Sequence, residues 1–165
     1  MKIIAVSGYF DPLHVGHVEL FKLARDLGDK LVVIINNNEQ TERKKGKYFM
    51  DAEERGKIIQ ELQCVDEVFI SIDRDRTVCE SLRTVRPHIF ANGGDRKKNG
   101  FTTDNTDIPE AIVCKELGIE MVDGLGSKIQ SSSSLIKRYS EPQQESSQEE
   151  NKQEGELNNQ DDTQH

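Results

Sequence analysis

Two histidines three residues apart, His14 and His17, stand in the segment GYFDPLHVGH that runs from Gly8 to His17. If that stretch opens a helix, the spacing puts both imidazoles on one face, where they could donate two hydrogen bonds to one anionic group. The helix start would aim free N–H groups and its positive dipole end at the same space, and Gly8 would let the backbone pass close to a ligand. Such an arrangement suits a phosphate. Spacing alone leaves two other readings open, surface histidines or part of a metal site, and the second needs further ligands. His88 and His165 are the only other histidines. Lys45 and Lys47, with Lys44 as a neighbour, fall in the polar segment NNNEQTERKKGK, read as a loop, where the first two could close over an anion as point charges or all three remain solvated.

The flanking sequence supplies the elements that would hold these residues. Lys2–Ser7 (KIIAVS) is a β-rich apolar run ending at a glycine, typical of a buried parallel strand. Val15, Val18, Leu20, Phe21, Leu23, Ala24 and Leu27 then recur at helical spacing, with Gly28 placed to stop the helix. Leu31–Ile35 reads as a second buried strand. Asp51 opens a helix at DAEE, with Ile58, Ile59 and Leu62 as its apolar face. Val65–Ile72 is expected as strand three and Thr77–Val85 as a short helix before Pro87. His88–Ala91 is expected as a fourth strand running into Asn92-Gly93-Gly94-Asp95. A helix over Pro109–Leu117, a short strand over Glu120–Val122 and a serine-opened helix over Ser131–Tyr139 complete the pattern. This alternation predicts an α/β fold, a Rossmann-like doubly wound parallel sheet, with ligands at the carboxyl ends of the strands.

Charge is distributed unevenly along the chain. The 165 residues hold 22 Lys+Arg against 30 Asp+Glu, a formal net charge of −8. From Glu141 to His165 there is one hydrophobic residue, Leu157, with eight acids and one lysine. A segment so polar cannot offset its ordering entropy by apolar burial, so 141–165 is expected to be a disordered acidic tail. Residues 1–140 form the expected single folded domain, with a net charge of only −1. The balance argues against a protein that coats nucleic acid, but not against one that binds a small anion. No apolar run approaches the ~18 residues of a membrane span, and the short apolar start does not suit a secretory signal, so a cytoplasmic location is expected. Cys64, Cys79 and Cys114 are far apart without a CxxC pair, which suggests buried thiols rather than a disulfide framework or a zinc site.

GYFDPLHVGH resembles the G-x-F-D-x-x-H-x-G-H signature of the cytidylyltransferase-like nucleotidyltransferase superfamily at six fixed positions. The likeness continues through ARDLGDKLVVII, the lysine-rich TERKKGKYFMDAEER, VDEV, FANGGDR and SSSSLIKR, covering roughly 1–139. It implies transfer of a nucleoside monophosphate from CTP or ATP to a phosphomonoester, with pyrophosphate released and Mg²⁺ carried by the triphosphate. His14, His17, Lys45 and Lys47 would act at the phosphates. Gly8, Tyr9, Phe10, Asp11 and Gly16 would line the nucleotide site together with Asn92, Gly93, Gly94, Asp95, Ser131, Ser132 and Ser133. Asp11 is either a Mg²⁺ or ribose contact or a turn-stabilising acid; any one serine could equally be a simple N-cap. Arg55 matches the family's helix-start arginine and, with Asp66, is carried over as a substrate contact, a surface ion pair being its alternative. A homodimer is implied by the resemblance alone.

The acceptor is less defined. Glycerol phosphate cytidylyltransferases carry an arginine before the V-D strand, where Gln63 stands here, and another in R-T-x-x-I-S-T-T, where this chain has GLGSKIQSSSS with Lys128. Heptose 1-phosphate adenylyltransferases lack both arginines and share the G-G-D and K-G stretches. A sugar phosphate or small phosphoalcohol is therefore expected. A pantetheine-phosphate-type adenylyltransferase, or a nucleotide-sensing module without catalysis, are the alternatives.

Overall fold

In a computed structural model of the chain, the described residues are 1–93, 108–126 and 131–140. Five strands alternate with helices: β1 (Ile3–Gly8), α1 (Val15–Arg25), β2 (Lys30–Ile35), α2 (Asn38–Lys45), α3 (Ala52–Gln60), β3 (Glu67–Ile70), α4 (Cys79–Val85), β4 (Ile89–Gly93), α5 (Pro109–Leu117) and β5 (Glu120–Leu125). A further helix, α6 (Ser132–Ser140), follows. The strands form one sheet in the order β3-β2-β1-β4-β5, and every adjacent pair is parallel. The α/β class and the doubly wound parallel sheet expected from the strand–helix alternation are what the fold contains. Chain direction across the sheet reverses between β1 and β4, which places a ligand crevice beside the carboxyl end of β1.

The strands are apolar on both faces because each face carries helices, so alternate residues enter different cores. Ile4 and Val6 of β1, with Leu31, Val33 and Ile35 of β2, pack against Phe21 and Ala24 of α1 and Ile59 of α3. Ala5, Ile34 and Phe90 face the other way, towards Val78, Leu82, Val113 and Cys114. All three cysteines are free thiols.

Several boundaries differ from the sequence reading, for identifiable reasons. Helix α1 ends at Arg25, and Gly28 lies beyond it in a turn where a Cβ would stand 2.8 Å from the Lys2 carbonyl oxygen. Strand β3 is only four residues, Glu67–Ile70, because Ser71 and Asp73 turn towards the start of α4. The largest difference is α2, expected as a loop. Asn37 caps it by accepting the Gln40 N–H, while the Gln40 side chain accepts the Asn37 N–H. Its buried residues are Gln40 and Thr41, so the helix has no apolar period to read.

The chain divides into two compact units, Met1–Gln130 and Ser131–His165. The expected acidic tail, 141–165, lies outside the described residues. Among the described residues no helix is long and apolar enough to cross a membrane.

Candidate active site

The turn from β1 into α1 is built around a ring. Phe10 takes a left-handed backbone conformation, φ +51°, and is 3% exposed. Its ring lies over Gly8, where a Cβ would stand 2.7 Å from Phe10 Cζ. The absence of a Cβ at Gly8 is therefore what seats the Phe10 ring. The Phe10 ring meets Phe21 edge-on at 5.1 Å and His17 at 4.9 Å.

His17 is fixed by that contact and by its partner. His14 is the N-cap of α1: its Nδ1 accepts the Gly16 N–H at 3.1 Å, and His17 Nδ1 accepts the His14 N–H at 3.2 Å. The two imidazoles stack with centroids 3.6 Å apart. This is a reciprocal capping box made of two histidines, where a hydroxyl or carboxyl residue usually serves. The bonds decide the protonation. Each Nδ1 is an acceptor, so each neutral ring carries its proton on Nε2 and offers one Nε2–H donor. Burial pushes the His17 pKa down to about 3, helped by His14 and by the positive charge of Lys45; burial also lowers that of His14. Near neutral pH the pair presents two uncharged donors of known tautomer.

Lysines approach from α2. Lys45 Nζ donates to the Asp11 carbonyl at 2.7 Å, leaving two of its three donors for other acceptors. Lys45 thus sits at a helix end rather than on a loose loop. Gly46 follows at φ +86°, and Lys47 is exposed beyond it. Lys44 Nζ stands 4.1 Å from the centroid of the half-buried Tyr9 ring. The Asp11 carboxylate is fully buried and accepts from Phe49 N and Met50 N, at 2.7 Å each. Of the two roles considered for Asp11, the geometry is that of the turn-stabilising acid.

Arg55, expected at the substrate, is 1% exposed. Its guanidinium donates to the carbonyls of Met50 (2.9 Å), Tyr9 (2.6 Å) and Asn36 (3.0 Å), and to Asn38 Oδ1 and Thr41 Oγ1. All its donors are turned inward, so it ties the β1 and β2 loops to α2 and α3 instead of reaching a ligand. Asp66 is also displaced from the expected role. Its carboxylate accepts from Leu31 N at 2.8 Å and pairs with Arg25 at 3.0 Å, at the amino end of the sheet. A six-residue strand, roughly 20 Å, separates that end from the histidines. His88, which a metal site would have needed, is likewise at the amino end, its Nδ1 accepting from Ile3 N.

Asn92 and Gly93 end β4 at the same sheet edge as the signature turn, at a break in register with β5. Asn92 Nδ2 is buried without a hydrogen-bond partner among the described residues. Gly93 faces Leu20 and the Leu125 carbonyl. Gly94, Asp95 and Lys128 lie outside the described residues. In the second unit Ser131 caps α6, its Oγ accepting Ser134 N at 3.1 Å, while Ser132 and Ser133 form the first turn. Reasoning from residue types missed Gln40, whose buried amide carries α2, and Asn37, which donates to the Ser71 and Asp73 carbonyls. The available signal was the Asn37-x-x-Gln40 capping spacing.

Comparison with known proteins identifies the family. Residues 5–139 match the family model described as Cytidylyltransferase-like. The chain belongs to the cytidylyltransferase-like family. Membership places it among the nucleotidyltransferases. The Bifunctional protein HldE of Pelobacter propionicus is 34% identical over 131 residues, which are 78% of this chain and 23% of that protein. The FAD synthase of Pyrococcus abyssi is 34% identical over 94 residues, 56% of this chain and 63% of that one. The chain therefore spans under a quarter of the HldE relative's length. A crystal structure of the lipopolysaccharide core biosynthesis protein from Thermoplasma volcanium shares the fold, with a TM-score of 0.58 at 26% identity over 74% of this chain and 95% of that one.

Proposed function

We propose that this family member transfers an adenylyl group from ATP, with CTP as the alternative donor, to the phosphate of a sugar phosphate or small phosphoalcohol. The observation that carries the reading is the pair of neutral Nε2–H donors on His14 and His17, set at the crevice by their own capping bonds. An acceptor phosphate oxygen attacks the α-phosphorus, the bond from that phosphorus to the α,β-bridging oxygen breaks, and pyrophosphate leaves with the electron pair. No proton has to move, because a phosphomonoester dianion is already a nucleophile. Catalysis is then alignment and charge stabilisation. The two Nε2–H groups and the remaining Lys45 donors meet the charge that builds on the phosphates. Asn92 Nδ2 is suited to an acceptor atom of the base or sugar.

ATP is favoured by the G-G-D stretch shared with heptose 1-phosphate adenylyltransferases and by likeness to a protein named FAD synthase. Both Asp11 carboxylate oxygens are taken by backbone amides, and no cluster of three metal-ligating side chains occurs among the described residues. Mg²⁺ enters this proposal with the triphosphate, as part of the substrate. Pyrophosphate release should be measured with ATP and with CTP across sugar 1-phosphates, glycerol 3-phosphate, flavin mononucleotide and phosphopantetheine. Turnover with one nucleotide and one acceptor class is expected. Tight nucleotide binding without pyrophosphate from any pair would favour a sensing module instead.

A further inference from the structure

A second group of cations stands beside the signature turn, outside the histidine motif. Gln40 donates its amide to the Asp75 carbonyl at 2.7 Å and the Thr77 carbonyl at 2.9 Å, gripping the backbone on both sides of Arg76. Lys44 follows Gln40 by four residues, one turn along the same face of α2, and rests over the Tyr9 ring. Burial holds the Lys44 pKa below its usual value, helped by the charges of Lys45 and Arg76, and burial raises that of Tyr9 against the opposing charge of Arg76. Of the carboxylates nearby, Glu39 pairs with Arg43, Asp75 accepts from Thr77 N and Oγ1, and Glu110 accepts from Val78 N. Among the described residues no salt bridge reaches Lys44, Lys45 or Arg76. Like charges held together by a buried hydrogen-bonded anchor repel one another unless an anion joins them.

We propose that Arg76, together with Lys44, grips the phosphate of the acceptor. The inference rests on the nucleotidyl-transfer reading and assigns the other half of the same site. His14, His17 and Lys45 serve the triphosphate. The Arg76 guanidinium holds two phosphate oxygens in its planar fork and leaves the third free to attack the α-phosphorus. Lys44 adds a point charge whose position is narrowed by the Tyr9 ring.

Calorimetric titration of the full chain separates the two halves. ATP and CTP with Mg²⁺ are titrated first, then inorganic phosphate into the nucleotide-saturated protein, for the wild type, Arg76→Gln and Arg76→Lys. Arg76→Gln should weaken phosphate about 10-fold or more and leave nucleotide affinity within about twofold, since a hydrogen-bonded charge is lost at one subsite only. Arg76→Lys should fall between, having charge without the fork. Arg76 is exposed, so both variants should keep the wild-type thermal midpoint. The proposal is overturned by unchanged phosphate affinity in Arg76→Gln, by equal loss of nucleotide and phosphate, or by a wild type that binds nucleotide but no phosphate. A wild type that binds neither ATP nor CTP would instead defeat the nucleotidyl-transfer reading itself.

Discussion

Helices α1 and α2 both deliver side chains to the crevice, and they are anchored by opposite means. Helix α1 buries Phe21 and Ala24 in the main core. Helix α2 buries Gln40 and Thr41, and is held by Gln40 to the Asp75 and Thr77 carbonyls, by Asn37 to those of Ser71 and Asp73, and by Arg55 beneath. Apolar burial is proportional to area and indifferent to direction. A buried polar anchor works only if each donor meets its acceptor, so it specifies position more sharply and fails more abruptly. The division suits the proposed chemistry: α1 carries the rigid capped histidines, whereas α2 sets the lysines assigned to the phosphates in that proposal.

The comparison can be broken most strongly at Phe21. Phe21→Ala should destabilise the protein by about 3–5 kcal/mol, measured by urea unfolding, because a fully buried ring leaves a cavity under α1. Next, His17→Ala should lower kcat about 100- to 1,000-fold, the cost of removing one stabilising donor, while removing one capping bond of α1. Gln40→Leu keeps the volume but satisfies neither carbonyl; a loss of about 1–3 kcal/mol is expected, with hydrogen exchange quickened in α2 rather than α1. A Gln40→Leu variant as stable as the wild type would show that α2 is not held by its polar anchor.

A further effect is with pH. The folded pKa of His17, about 3, lies below the ordinary value of 6.5. Above pH 6.5 neither state binds the proton. As pH falls from about 6.5 towards 3, the unfolded chain takes up a proton that the folded state refuses, so stability is lost across that window. The slope from this group is at most about 1.4 kcal/mol per pH unit, reduced by solvent screening of a partly exposed ring. Unfolding of His17→Gln should show a correspondingly flatter acid limb than the wild type.

The same contrast accounts for what could be read without coordinates. Ile4, Val6, Leu31, Val33 and Phe21 announce strands and a helix because apolar burial leaves a period in the sequence. Helix α2 leaves none, and only the Asn37-x-x-Gln40 spacing marks its start. His14 and His17 are legible as a pair at the start of a helix, although their spacing also serves the capping box that sets their tautomer. Arg55 and Asp66 mislead for a shared reason. A charged residue in a family motif looks like a ligand contact, yet Arg55 has every donor taken by the fold and Asp66 lies at the far end of the sheet. Gly8 has a role that its sequence position did not announce, since the ring that needs its missing Cβ is only two residues away.

The proposed chemistry depends most directly on two neutral imidazoles with their protons on Nε2. Long-range ¹⁵N–¹H correlation spectra of His14 and His17 between pH 7.5 and 5 would test it. The prediction is an unprotonated Nδ1 and a protonated Nε2 on His17 throughout, with the Nε2 resonances of both rings moving when ATP or CTP binds. A His17 ring that titrates near pH 6.5, or carries its proton on Nδ1, would contradict it.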